Sequence, residues 1–419
     1  MRRPLVAMGL SAAALYPIFL GGRYIEARTE AWPPPSIAVT PGAARFASAV
    51  TADDLSKLIL MRLRRFNAAS LTGTRDAFGK DRLKAWTWTY IARAALRVYR
   101  LNHDPQLIQL VLEGAAKYEA AASLHQAGPG FGWYTEDARA SGPYREVPVT
   151  GLIMAPIVDL LQEAGRDPQL AKLVETQRAR LLALLQRATA GLDGRYFEAD
   201  GKGYYLLPSG LDVEPLNLMS VYARPLLGYW QLTQDAESLR EVTGIARTWK
   251  AALRTGEDGS VTWPHTPRPP SIAAKPDPAE VMIKSAAAIE FPLAAYEAGL
   301  VFERKDIEAL AHAPATTLLT RVDDTHYRLR EFVDANSDAF ISIGATDVGT
   351  ALRPASWYRY LCYDRELTGV LDPYLFGIDP AFYRQSDLAL LGMADRLAIA
   401  HDPASCGTPG QVAEIGSRG

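Results

Sequence analysis

The chain has 419 residues, of which 48% are hydrophobic, and its formal net charge is -2 at pH 7. A chain of this length and composition buries a large core, so a disordered body is excluded. The nearly neutral charge argues against a dedicated nucleic-acid-binding protein, because there is no basic excess to neutralise phosphates. We therefore expect no nucleic-acid partner.

The N-terminal sequence has the pattern of an export segment. Two arginines precede an apolar run that ends at about Leu20, and Arg23 follows it, so residues 1–22 predict a signal peptide or a membrane anchor. No convincing small-residue cleavage site follows, and an uncleaved anchor is at least as well supported as a cleaved signal. We expect residues 23–51 to be a Pro-rich linker. The body is then either anchored to the inner membrane and facing the periplasm, or secreted to the periplasm.

A short sequence pattern recurs along the body at nearly regular intervals. In each copy an amphipathic helix runs into a short turn, and an Asp then precedes a Leu or Ile that starts the next apolar stripe. The aspartates are Asp104, Asp167, Asp235 and Asp306. Asp is a favoured helix N-cap, so each is predicted to start the second helix of a hairpin. Hairpins repeated at this spacing predict a closed ring or a solenoid.

The first helix of each pair is more apolar than the second, which predicts inner and outer layers. We expect the fold class to be all-α, an (α/α) toroid of six hairpins, spanning residues 52–402 and followed by a flexible tail at 403–419. The predicted inner helices are 86–101, 147–164, 214–232 and 280–298.

Four long connections are predicted to meet at one rim of the ring: 125–146, 191–213, 254–278 and 320–354. Loops of this length in a compact helical domain are usually functional. All four carry aromatic residues, and three of them have Arg or His close by. Aromatic faces stack on sugar rings, and Arg binds carboxylates. The residues predicted to bind substrate are Trp133, Tyr134, Tyr205, Trp263, Arg330, Trp357 and Arg359.

The candidate catalytic residues lie in or beside the same loops. They are His265, Tyr327, Arg145, Asn217 and Glu214. Each also has a plain structural interpretation. Arg145 could pair with a neighbouring carboxylate, Glu214 could serve the helix dipole, and His265 could be a solvated loop residue.

No metal-ligand spacing, phosphate loop or serine-nucleophile motif is present, so the sequence predicts no metal and no cofactor. Cys362 and Cys406 are the only cysteines. A disulfide between them stays open, and for Cys362, in an apolar helical context, a buried free thiol is the commoner case.

The body resembles the alginate-lyase-like and glucuronyl C5-epimerase-like (α/α) toroid proteins, which act on uronic-acid polysaccharides. The similar stretches are AAYEAGLVF at 294–302 and WYRYLCYD at 357–364. Those relatives open the fourth inner helix with two acidic residues, any residue, Ser and His. This chain has Glu280-Val281-Met282-Ile283-Lys284 instead.

The resemblance implies a lyase or a C5-epimerase, with a polysaccharide or oligosaccharide as partner. Arg or Asn would neutralise the uronate carboxylate, and Tyr or His would take the C5 proton. Because Lys284 replaces the His, a non-catalytic glycan-binding or polysaccharide-export accessory role stays open. An inverting glycoside hydrolase also stays open, since it needs only two facing carboxylates. Those available are Glu136, Asp137, Glu214 and Asp334.

Overall fold

The structure is a computed structural model that describes residues 36–69, 71, 75–124, 131–135, 144–190, 192–272, 278–341 and 348–402. The predicted export segment at 1–22 and the predicted tail at 403–419 lie outside these residues, as do Glu136 and Asp137.

The described residues are mainly helical. The α-helices are α1 Ala52–Ala68, α2 Arg75–Asn102, α3 Pro105–Leu124, α4 Val147–Ala164, α5 Pro168–Thr189, α6 Leu216–Thr233, α7 Ala236–Ala252, α8 Met282–Ala288, α9 Glu290–Glu297, α10 Arg304–Ala313, α11 Val348–Ala351, α12 Leu367–Ile378 and α13 Asp387–His401. A 3-10 helix, Arg353–Cys362, lies between α11 and α12.

Short antiparallel strands lie in the connections. They are β1 Ile37–Ala38, β2 Tyr134–Thr135, β3 Tyr144–Arg145, β4 Tyr196–Ala199, β5 Lys202–Tyr205, β6 Arg254–Thr255, β7 Val261–Thr262, β8 Leu319–Arg321 and β9 His326–Leu329. Six of them form three two-stranded hairpins, β2 with β3, β4 with β5 and β6 with β7, and β1 joins β9 and β8 in a three-stranded sheet.

The inner helices close a ring. Going round it, α2 packs on α4, α4 on α6, α6 on α8 and α9, α8 on the 353–362 helix, that helix on α13, and α13 back on α2. The helices α1, α3, α5, α7, α10 and α12 lie outside, each packed on the inner layer. This is a six-hairpin (α/α) toroid, and the predicted inner members are confirmed as inner.

Inner helices bury more of their residues than outer helices do. All but one of the eighteen residues of α4 are buried, whereas α5 buries only the six of its stripe. Among the described helices α4 alone is long and apolar enough to cross a membrane, and 94% of its apolar window is buried inside the protein. Its apolar composition is therefore that of a core helix.

The repeated aspartates start helices as predicted, with one difference. Asp167 accepts from the N–H groups of Gln169 and Leu170, and Asp235 accepts from that of Ser238. Asp306 instead lies inside α10, where its carboxylate accepts from the backbone N–H of Glu303 at 2.7 Å. Glu303 is the N-cap there, so the last copy uses a capping box in which the two acidic residues exchange hydrogen bonds.

Two expectations need correction. The body begins before residue 52, because β1 pairs with β9 and the 3-10 helix Ala43–Ala49 packs on α12. Residues 36–51 thus belong to the folded unit and not to a linker. Cys362 is disulfide-bonded and not a free thiol. The second cysteine of the sequence, Cys406, lies outside the described residues.

Candidate functional site

The N-terminal ends of neighbouring inner helices are tied together at one rim. The guanidinium of Arg195 donates to the carbonyl of Arg145 at 2.7 Å and forms an ion pair with Glu214 at 2.8 Å. The N–H of Leu216 donates to the carbonyl of His265 at 2.9 Å. These contacts bring Arg145, Glu214 and His265 onto one rim, as the ring topology requires of outer-to-inner connections.

His265 is oriented by a buried carboxylate. Its Nδ1 lies 2.8 Å from Oε1 of Glu280, whose side chain is fully buried. Because a carboxylate only accepts, Nδ1 carries the hydrogen and Nε2 is left as an acceptor. Nε2 faces Lys284, with Nζ at 3.4 Å. The arrangement is an imidazole with Nδ1 on a buried carboxylate and Nε2 beside the amino group of Lys284.

Backbone pairing fixes this contact. The N–H of Glu280 donates to the carbonyl of Trp263 at 2.8 Å, and that of His265 donates to Pro278 at 3.0 Å. Glu280 also accepts from the N–H of Val281 at 3.0 Å. The two segments thus run antiparallel, which places the imidazole and the carboxylate side by side at the start of α8.

A small pocket with room for about one water molecule lies inside the ring below this rim. Its walls come from α2, α4, α6, α8 and α9, and the lining residues are Trp86, Thr89, Tyr90, Arg93, Leu152, Ala155, Ser220, Val221, Arg224, Ala287 and Glu290. Lys284 and Ala287 are three residues apart, as are Asn217 and Ser220, and residues at that spacing share a helix face. The rim groups are therefore one helical turn from the cavity wall.

Below the cavity, charged side chains meet at the ring axis. Arg93 pairs with Asp159 at 3.1 Å and with Glu290 at 2.8 Å. Arg224 pairs with the same Asp159 at 2.5 Å, and Arg359 lies 3.3 Å from Glu290. We call these residues, together with Arg97 and Asp395, the axial cluster.

Each of the six inner positions of the ring contributes a residue to the axial cluster. Arg97 on α2 pairs with Asp395 on α13 at 2.8 Å. With Asp159 on α4, Arg224 on α6, Glu290 on α9 and Arg359 on the 3-10 helix, all six sides of the ring are represented. The cluster therefore closes the inside of the ring beneath the cavity.

The charges of the axial cluster perturb one another. Burial alone would raise the pKa of Asp159, but Arg224, Arg93 and Arg97 hold that pKa well below its ordinary value. The pKa of Glu290 is lowered by Arg93, Arg359 and Arg224 against the same effect of burial. Burial and then the neighbouring Arg93 lower the pKa of Arg224 to about 10.

Four rings predicted to stack on sugars belong to the core. Trp133, Tyr205, Trp263 and Trp357 are each at most 1% exposed. The indoles of Trp133 and Trp357 donate to backbone carbonyls at 2.9 Å, and Trp263 packs against Trp249 with ring centroids 5.2 Å apart. Their faces are covered by protein, so the predicted stacking role is wrong for these four. The side chain of Tyr134 lies outside the described residues.

The remaining candidate residues lie in different environments. Tyr327 is buried against Tyr374, and burial raises its pKa, so it is a packing residue and not the predicted base. Arg330 binds the carbonyl of Ser337 in its own loop and lies over Phe340. Asn217 is buried in the first turn of α6, and its Oδ1 has no hydrogen-bond partner in the described part of the chain.

Arg359 was predicted at the rim but lies in the axial cluster, since it sits within the 3-10 helix and not at its start. Sequence reasoning missed the rest of that cluster and the cavity aromatics Trp86 and Tyr90. A signal was present: single charges interrupt the most apolar helices, as Asp159 does in α4 and Arg93 among the alanines of α2. A charge in such a helix must be paired.

No protein-family model and no curated protein matches the chain. Among solved structures it is similar to an inactive variant of the α-1,6-mannanase GH76A of Salegentibacter sp. HEL1_6 in complex with α-1,6-mannotriose. The TM-score is 0.47 at 10% identity, over 83% of this chain and 100% of the other. The GH76A α-1,6-mannanase from the same organism gives a TM-score of 0.43 at 9% identity, over 83% and 99% of the two chains. Similarity at this identity and TM-score does not indicate a shared activity or a shared substrate.

Proposed function

We propose that the protein processes a polysaccharide or oligosaccharide bound at the rim of the ring, with His265 transferring a proton there. The observation that carries this proposal is the contact between His265 and the buried Glu280, one helical turn above a cavity lined by Trp86 and Tyr90. A His oriented by a carboxylate is suited to act as a general acid or base.

The first candidate reaction begins with removal of a proton from C5 of a uronic acid. His265 accepts the proton at Nε2 while Asn217 and Lys284, on neighbouring inner helices, stabilise the charge that develops on the carboxylate. Breakage of the bond from C4 to the leaving oxygen, which takes up the proton from His265 as it departs, gives an unsaturated sugar and a shortened chain, which is a lyase reaction. Return of a proton to the opposite face of C5 gives an epimer instead.

Glycoside hydrolysis is the second candidate, and the positions of two carboxylates favour it. Glu214 and Glu280 are both buried, at 3% and 0% exposure, beside the starts of the neighbouring inner helices α6 and α8. Inverting hydrolases use a carboxylic acid and a carboxylate on opposite sides of the scissile bond. In that reaction Glu214, which is ion-paired with Arg195, is assigned the role of the carboxylate that activates water.

We further propose that the protein is exported, with residues 1–22 as its signal or anchor. The disulfide at Cys362 supports this, because structural disulfides persist in oxidising compartments such as the periplasm. Fractionation of cells that produce the full chain tests it. Recovery of the whole protein from the cytosol in the reduced state would overturn export.

The test of activity is incubation of the purified body with a panel of neutral and uronic-acid polysaccharides. Ultraviolet absorbance reports unsaturated products, deuterium uptake from D2O reports exchange at C5, and new reducing ends without absorbance report hydrolysis. We expect one of these signals, and we expect it to be lost in His265→Gln. Binding without turnover would assign the chain to the glycan-binding alternative.

A further inference from the structure

Two arginines that line the small pocket inside the ring have N–H groups without acceptors. Arg93 donates from Nε to Asp159 and from Nη1 to Glu290, each at 3.1 Å, but its Nη2 has no hydrogen-bond partner among the described residues. Arg224 donates from Nη2 to the same Asp159 at 2.5 Å, whereas its Nη1 and Nε have no partner there. Buried donors without acceptors are costly and rare. We therefore expect a group from outside the protein to accept from them.

The two guanidinium groups are neighbours. Arg93 binds Oδ2 of Asp159, and Arg224 binds Oδ1 of the same carboxylate. Arg224 Nε lies 3.7 Å from Glu290, which is too far for a hydrogen bond. The side chains of Arg93 and Arg224 are only 3% and 11% exposed, and both residues line the pocket. One small group bound there can therefore accept from both arginines.

The size of the pocket limits what this group can be. The pocket has room for about one water molecule. A sugar ring, a carboxylic acid or a tetrahedral oxyanion such as sulfate is several times larger than a water molecule and does not fit. The groups that remain are water itself and a monatomic anion.

The charge of the donors favours the anion over water. All the free donors belong to guanidinium cations, and hydrogen bonds between ionised groups are roughly twice as strong as those between neutral groups. Burial and then the positive charge of Arg93 lower the pKa of Arg224 to about 10, so the two cations repel each other. Asp159 and Glu290 are each shared among three arginines and cannot neutralise this pair alone. A negative ion beside both guanidinium groups would offset their repulsion.

We propose that this pocket binds a single monatomic anion, chloride under ordinary conditions, which accepts hydrogen bonds from Arg93 and Arg224. The site goes beyond the proposed function and does not depend on it, because it involves neither a glycan nor His265. The anion would join α2 to α6, the inner helices on the two sides of α4. Because only the folded ring assembles these donors, chloride should stabilise the folded protein.

Urea unfolding of the full chain at several chloride concentrations tests the site. Sodium chloride replaces sodium gluconate at constant ionic strength, so that general screening stays the same and the replaced anion is too large for the pocket. We expect the unfolding equilibrium constant to fall at least tenfold between zero and about 200 mM chloride and then to level off, as a single site with a Kd of about 20 mM or below requires. An unfolding constant that does not respond to chloride would overturn the proposal and leave water as the occupant.

Bromide locates the site directly. Bromide is close to chloride in size, and its anomalous X-ray scattering identifies it in crystals of the full chain soaked in sodium bromide. We expect an anomalous peak within hydrogen-bond distance of Arg93 Nη2 and Arg224 Nη1. Bromide found only on the protein surface, with an ordered water beside the two arginines, would contradict the proposal.

Two variants separate this pocket from other arginine sites. Arg224→Lys keeps the charge but removes the guanidinium donors, and the chloride response should be lost. Arg396→Lys is the matched control and should keep the full response, because Arg396 is also a part-buried arginine paired with an aspartate, Asp372, but does not line the pocket. If Arg224→Lys does not fold, Ala287→Leu takes its place, since it fills the pocket without changing a charge. A full chloride response in either folded variant would assign the anion to another site and overturn the proposal.

Discussion

Nδ1 of His265 lies 2.8 Å from a carboxylate oxygen of the fully buried Glu280, and the two residues come from segments that pair through their backbones. The pair therefore holds its geometry without a ligand. A second His with a similar contact, His326 with Asp323 at 3.1 Å, is exposed on β9. The chain thus contains both a candidate catalytic pair and an internal control for it.

Glu280→Gln should lower kcat by about 100-fold or more, since an amide neither fixes the imidazole tautomer nor stabilises its protonated form. Steady-state kinetics on the substrate found in the panel measures this, with circular dichroism to check the fold. His326→Gln should leave kcat unchanged. A Glu280→Gln enzyme with full activity would remove the pair from the mechanism.

Asp159→Asn should destabilise the protein by about 3–5 kcal/mol, because it leaves Arg93 and Arg224 buried without their shared partner. Urea unfolding at neutral pH measures the change in free energy. Glu237→Gln breaks an exposed pair with Arg240 and should cost about 1 kcal/mol or less. Similar losses in the two variants would show that the axial cluster is not a stabilising unit.

Stability should fall as the pH drops below about 4.5. Asp159 and Glu290 have folded-state pKa values below their ordinary values, so their contribution is fully present above the unfolded pKa values of about 3.9 and 4.3 and is lost as pH falls through the folded ones. Urea midpoints from pH 7 to pH 2.5 measure the slope. The slope should be smaller in Asp159→Asn, and an unchanged slope would assign acid sensitivity to other carboxyls.

Gly151→Ala and Gly369→Ala should have opposite effects. A Cβ at Gly151 would lie 2.4 Å from the carbonyl oxygen of Val221, where α4 crosses α6, so the helices must separate and stability should fall by about 1–3 kcal/mol. Gly369 on α12 is exposed with open space around it, and Ala there should stabilise by about 0.5–1 kcal/mol. Thermal unfolding compares the two, and equal shifts would contradict the close crossing.

Gln234→Gly should stabilise the protein by about 0.5–1 kcal/mol. Gln234 ends α6 with φ at 59°, a left-handed conformation that glycine adopts without steric cost. Its side chain is exposed and makes only two 3.4 Å hydrogen bonds, to carbonyls of its own helix. A loss of stability in urea unfolding would show that those bonds outweigh the backbone strain.

The sequence predicted the ring because the signals for it are local. Helix periodicity, the caps at Asp167 and Asp235, and the contrast between α4 and α5 each depend on neighbouring residues. The predicted site was less accurate because a loop aromatic looks the same whether it faces solvent or packs inward. Trp263 packs against Trp249 from the preceding helix, and Trp357 against the backbone of Leu310, pairings that no local pattern reveals. His265 was found, but its partner Glu280 depends on the antiparallel pairing of two loop segments.

The ion pair between Arg97 and Asp395 joins positions 298 residues apart, and it bears on how the chain is made. During synthesis α2 emerges early and α13 last, so the inner arginines have no full set of partners until almost the whole chain has been translated. Contacts this distant in sequence slow folding, because loop closure must precede them. A nascent chain lacking α13 would be an open arc with apolar edges and unpaired charges.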